Sequence, residues 1–130
     1  MVEDSLQDGK RVAELLASEV SGHENEPYGR LAVTNADQDV EPTADGAHAY
    51  DVELAGDAAS DDPLAEVFVQ PERARLEVRS GLDAAVDAAE DGGLRTRPVG
   101  GASPRLVVFV EDGVEVKRAL DVLGAAADAA

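Results

Sequence analysis

Cysteine is absent from all 130 residues. That removes disulfides, thiolate metal sites and thiol nucleophiles together, and nothing points to an oxidising compartment. Tryptophan is absent too, and two phenylalanines and two tyrosines are the whole aromatic complement, so a core has to be built mostly from small apolar residues. Lysine is nearly missing, with only Lys10 and Lys117 beside nine arginines. No stretch approaches the ~20 apolar residues that a membrane-spanning helix needs. The first ten residues carry Glu3, Asp4 and Asp8 and lack the basic start and apolar run of a signal peptide. The expectation is a soluble, cytoplasmic protein without membrane association.

What is abundant is acid. The chain holds 28 Asp and Glu against 11 basic residues, a formal net charge of -17. In dilute salt such a chain repels itself. At molar ionic strength the Debye length falls to ~3 Å and the repulsion is screened. Scarce lysine, plentiful carboxylates and small core residues make the composition similar to that of halophilic archaeal proteins. The charge is also uneven. Residues 1–72 hold 18 acids and three bases (Lys10, Arg11 and Arg30), net -15, whereas residues 73–118 hold eight of each. A surface that departs from the acidic norm has to come from the second half.

The length suits one domain over 1–130, with roughly 65 to 70% of the unfolded surface buried. Leu6, Val12, Ala13, Leu16 and Val20 recur at helical spacing, so a first helix is expected from about Ser5 or Asp8 to Val20, closed by Gly22. An apolar run comes next, at Leu31 to Thr34. Asn35 to Ala47 reads as a loop, His48 to Leu54 as an alternating strand and Gly56 to Pro63 as an acidic loop. Ala65 to Gln70 and Arg73 to Arg79 form two arms of a hairpin around Pro71-Glu72. Pairing Gln70 with Arg73 puts Ala65, Val67, Val69, Ala74, Leu76 and Val78 on one face.

A second helix is expected to start at Ser80 as N-cap, with Leu82, Ala85, Val86 and Ala89 inward, and to stop at Gly92-Gly93. Leu94 to Val99 reads as a strand, and Leu106 to Val110, apolar on both faces, as a central one. Asp112 and Glu115 form a capping box for a last helix with Val116, Leu120, Leu123 and Ala127 inward, its alanine-rich end fraying from about residue 125. The order is α-β-β-β-β-α-β-β-α. Short connections between strands predict an α+β fold with a mostly antiparallel sheet, helices packed on one side and the other side open.

Catalytic patterns are missing. His23 and His48 have no second ligand at zinc-site spacing. Asn35, Asp37, Asp39 and Glu41 imitate the start of a calcium loop, but Val40 stands where glycine is required and no glutamate closes the loop. There is no G-x-S-x-G elbow, and Gly92-Gly93 and Gly100-Gly101 lack the lysine of a phosphate loop. No catalytic residue, cofactor or metal site is therefore assigned.

Arginine carries the one pattern of interest. Arg73, Arg75 and Arg79 share one face of a strand, Arg95 and Arg97 alternate on another, and with Arg105 and Phe68 they form a candidate patch for an anion or a partner. The competing reading pairs these arginines with Glu66, Glu77, Asp51 and Glu53 on neighbouring strands. Nucleic acid is disfavoured, because counterion-driven binding weakens steeply with salt and the whole-molecule field is repulsive.

The stretches Asp8-Gly9-Lys10-Arg11-Val12-Ala13-Glu14-Leu15-Leu16-Ala17-Ser18-Glu19 and Val116-Lys117-Arg118-Ala119-Leu120-Asp121 resemble an uncharacterised family of small acidic haloarchaeal proteins. The element order is similar to that of the secretion-chaperone-like fold, with one strand more. That likeness implies dimers and the binding of extended client segments. The expected function is a non-enzymatic protein-binding module, as a homodimer or with another protein. The alternative is an anion or small-molecule binder, or a weak enzyme, that uses the arginine face.

Overall fold

These periodicities become three helices and one six-stranded sheet in a computed structural model that describes residues 9–22, 31–37, 39–54, 63–101 and 104–129. Along the chain they are α1 (Gly9–Gly22), β1 (Leu31–Thr34), β2 (Ala47–Leu54), β3 (Ala65–Val69), β4 (Ala74–Val78), α2 (Leu82–Asp91), β5 (Arg95–Val99), β6 (Arg105–Val110) and α3 (Gly113–Ala129). The spatial order is β1-β2-β3-β4-β6-β5, and every neighbouring pair is antiparallel. This is the α+β architecture and the element order read from the sequence. The helix start at Ser5 or Asp8, Leu6, His23 and the part of the acidic loop before Pro63 lie outside the described residues.

The β3–β4 hairpin takes the expected register, with Ala65, Val67 and Val69 opposite Val78, Leu76 and Ala74, and Gln70 N–H donating to the Arg73 carbonyl at 2.9 Å. All six apolar residues are fully buried. Period-two alternation therefore sends one side of the sheet to the core and leaves the other for polar groups, as one-sided antiparallel sheets do. The core side is filled by Val12, Leu16 and Val20 of α1, Ala85 and Ala89 of α2, and Val116, Leu120 and Leu123 of α3. All three helices pack there, and α3 touches both of the others.

Two glycines permit close approaches. A side chain on Gly9 would meet the Gln70 carbonyl oxygen at 1.9 Å, and its N–H donates to Pro71, so the start of α1 is tied to the β3–β4 turn. Gly81 has φ 64° and sits so close to Ala126 that a Cβ would lie 2.3 Å from its carbonyl oxygen. Gly81, not Ser80, is the N-cap of α2, and no side chain caps it. The left-handed turn that brings the chain against α3 requires glycine, and Ser80 falls one residue short.

The same contact accounts for the end of α3. Ala126 and Ala127 are buried and the helix continues to Ala129, where alanine-rich composition alone suggests fraying. At the other end Asp112 Oδ1 accepts from Glu115 N–H at 2.9 Å, as the capping box predicts, while Glu115 Oε1 accepts from Glu111 N–H, one residue earlier than the usual partner.

The alternation of β2 is interrupted. His48 pairs with Phe68 but Tyr50 pairs with Val67, so Ala49 is an extra residue in a bulge. Ala49 and Tyr50 are both buried, and Tyr50 Oη donates to the Ala13 carbonyl of α1 at 2.7 Å. Unbroken alternation would put His48 on the Tyr50 side. The bulge instead turns it to the uncovered side with Asp51, three residues on.

Candidate functional site

Among the described residues no helix packs on the second face of the sheet, only the turn at Ala44–Gly46 reaches its rim against Gln70 and Arg75, and the sequence-derived patch assembles there. Across β3, β4, β6 and β5 the register sets Phe68 beside Arg75, Arg75 beside Phe109, and Phe109 beside Arg95. In the next rows Glu77 faces Val107 and Val107 faces Arg97, then Arg105 faces Val99. Arg73, Arg75, Arg79, Arg95, Arg97, Arg105 and Phe68 thus share one surface.

Among the described residues three glutamates pair with them, while Arg73 Nε also donates to Gln70 Oε1 at 3.0 Å and Arg75 Nη1 to the Asp45 carbonyl at 2.8 Å. Arg79 pairs with Glu66, donating from Nε at 2.7 Å. Glu77 is 6% exposed and lies between two cations, with Arg75 Nε and Arg105 Nε each 2.9 Å from one of its oxygens. Those two contacts are close ion pairs without the alignment of hydrogen bonds. Glu111 lies 3.4 Å from Arg73 and 3.7 Å from Arg95. Arg97 is exposed and has no ion-pair partner among the described residues. Pairing with Glu66 and Glu77 is as the competing reading supposed. Asp51 and Glu53 instead accept from Asn35 and Thr34, and Glu111 serves the arginines in their place.

The aromatic rings serve as floors for the arginines. The Arg73 guanidinium lies 4.0 Å from the Phe109 ring centre and that of Arg75 4.8 Å from Phe68. The His48 and Phe68 rings are T-shaped, with their centres 5.5 Å apart. Both phenylalanine rings are thus engaged by arginine. Between the arginines lies a shallow depression of about 420 Å³ with Val99, Val107 and Phe109 in its lining.

Phe109, Glu77 as a shared partner and Glu111 are the parts that sequence reasoning missed. Phe109 was legible, since it follows Arg105 and Val107 at period two. Glu111 was not, because it lies just beyond the strand.

The β1–β2–β3 part of this face has a different character. His48 Nε2 lies 2.7 Å from Asp51 Oδ1, and Glu66 is near enough that one ligand atom from each of the three residues falls within 4.8 Å of the others. His and carboxylate donors suit a divalent transition metal. Here Asp51 already serves His48 and Asn35, and Glu66 Oε1 serves Arg79, so a metal would have to displace existing partners. The partner of the imidazole is a carboxylate, and among the described residues no hydroxyl is hydrogen-bonded to the ring as a nucleophile would be.

Asp37 Oδ1 accepts from Asp39 N–H, while Val40 is buried in the core. The run that imitates a calcium loop is thus anchored by the residue standing where glycine is required. On the core side, a cavity of about 500 Å³ lies between α1, β1 and β2, lined by Ala13, Ala17, Val33 and Tyr50 among others, with Lys10 and Glu14. Burial pushes the Tyr50 phenol well above its usual range, so it stays protonated as the donor to Ala13. No helix among the described residues is long and apolar enough to cross a membrane.

Comparison with curated proteins and with solved structures returns no match. Over residues 1–130 the chain matches the sequence model of a family of unknown function. The chain, with its arginine-bearing sheet face, belongs to that family (DUF7993).

Proposed function

We propose that the protein is a non-enzymatic binding module of a salt-rich cytoplasm that docks a protein partner on the uncovered face of its sheet. The observation that carries this reading is the segregation of the two faces: three helices on one side, and six arginines with two phenylalanines on the other. The helix side offers little to a partner. Val114 is the only large hydrophobic residue exposed among the described residues. Arginine and aromatic side chains are those that interfaces favour over lysine and glutamate.

The test is recovery of the tagged protein from its native host at molar KCl, beside an Arg95→Gln/Arg97→Gln variant. Both positions are exposed, so the variant should keep its fold and melting temperature. A stoichiometric protein held by the wild type and lost from the variant is the expected result. Retention of the same partner by both would refute the docking face.

One observation favours a second reading, a small-anion binder: the exposed Arg97 beside a depression with Arg73, Arg75 and Arg105 in its lining. Stabilisation by citrate or phosphate that disappears with Arg97→Gln, and no associated protein, would select it.

A further inference from the structure

The uncovered face is as distinctive in charge as in shape. Building on the docking role proposed for it, we infer that its occupant is an extended, acidic polypeptide segment lying over β6 and β5.

Charge is the first argument. Among the described residues the β4–β6–β5 part of this face carries six arginines against Glu77 and Glu111, each shared by two of them, and Arg97 has no ion-pair partner, while Asp51, Glu53 and Glu66 lie on its β1–β2–β3 part. A chain of net charge -17 thus carries a local surplus of cations on one patch. Such a patch is complementary to carboxylates and steers them toward it. All six cations are arginine, whose guanidinium presents a fixed fork that grips a carboxylate through two parallel hydrogen bonds. Pairs made in contact and partly buried are screened by salt far less than distant charges.

Pattern is the second argument. The strand register sets Arg97 beside Val107, Arg95 beside Phe109 and Val99 beside Arg105. Cationic and apolar side chains therefore alternate across the patch. An extended segment has the matching period, because successive side chains point to opposite sides and every second one faces the sheet.

Shape is the third. The depression is shallow and lacks the walls that let a pocket bury most of a small ligand. Docking on the face, rather than pairing along the edge, also agrees with the composition of β5. Its Pro98 has no N–H to offer to an added strand.

The probes are a labelled peptide of alternating Glu and Val, its Gln-for-Glu counterpart, and citrate, each titrated against the full chain by fluorescence anisotropy or competition. The acidic peptide should bind more tightly than the Gln peptide. Arg97→Gln should weaken it about two- to fivefold, the worth of one exposed ion pair, and Arg95→Gln/Arg97→Gln further. Lys117→Gln, exposed on the helix side, should change nothing. Equal binding of the two peptides would overturn the acidic occupant while leaving a protein-docking face. Citrate binding without peptide binding would overturn both the inference and the docking role. Silence from all three probes would overturn the inference alone, the docking role being decided by partner recovery.

Discussion

Glu77 concentrates the electrostatics of the uncovered face. It is the only charged residue buried among the described residues, and it stands directly opposite Glu66 across the hairpin. Two carboxylates in that position repel. Arg79 on Glu66, and Arg75 with Arg105 on Glu77, reverse the balance. Glu77→Gln should therefore destabilise by about 2 to 3 kcal/mol, somewhat below a fully buried pair because both guanidiniums are partly exposed. Urea denaturation of the variant measures this, and a loss below about 0.5 kcal/mol would show the cluster to be solvated surface.

Tyr50 makes a second prediction at this scale. Loss of its hydrogen bond to Ala13 in Tyr50→Phe should cost about 1 kcal/mol. Burial raises its folded pKa above the unfolded value of 10.0, so the protonated phenol favours the native state. That contribution is complete below about pH 10 and is lost as the pH rises beyond it, where the unfolded chain sheds a proton the native chain keeps. Denaturation of wild type and Tyr50→Phe from neutral to alkaline pH should show a decline above pH 10 that the variant lacks.

Among the elements, the α2–α3 corner is the most demanding. Gly81→Ala adds a left-handed strain of roughly 1 to 2 kcal/mol and a contact with Ala126 that backbone movement alone can relieve. The variant should lose at least about 2 kcal/mol, with early hydrogen exchange in α2 and the end of α3. Ser80→Ala should change little, since no side chain caps α2.

These elements also show what a sequence conveys. The β3–β4 register was legible because both arms alternate and one pairing satisfies them together. The inward stripes of α1 and α3 and the Asp112–Glu115 box were legible for similar local reasons. The N-cap of α2 was not, because proximity to α3 selects Gly81 over Ser80. Nor was the bulge at Ala49, where a buried hydrogen bond to α1 overrides alternation and moves His48 to the other face. The arginine patch could be assembled from period two. The sharing of Glu77 and Glu111 among its members depends on β6 lying between β4 and β5, a matter of topology.

At the scale of the whole molecule the acid surplus acts on every residue at once. A field from -17 net charges destabilises the compact state unless ions screen it. The melting temperature should rise as KCl goes from millimolar to molar, monitored by circular dichroism, and a flat response would contradict the salt-adapted reading. Against that background the proposed docking role of the arginine patch is consistent, since it is where an acidic chain would accept another acidic chain with the least repulsion.

The most direct test asks which face a protein recovered with the chain at molar KCl touches. A photo-crosslinking residue is introduced as Arg97→benzoylphenylalanine on β5 or as Asp87→benzoylphenylalanine on the exposed side of α2, and each protein is irradiated with its partner at molar KCl. Crosslinking from position 97 and not from position 87 is the predicted outcome. Crosslinking from position 87 alone would place the partner on the helices and contradict a docking role for the uncovered sheet.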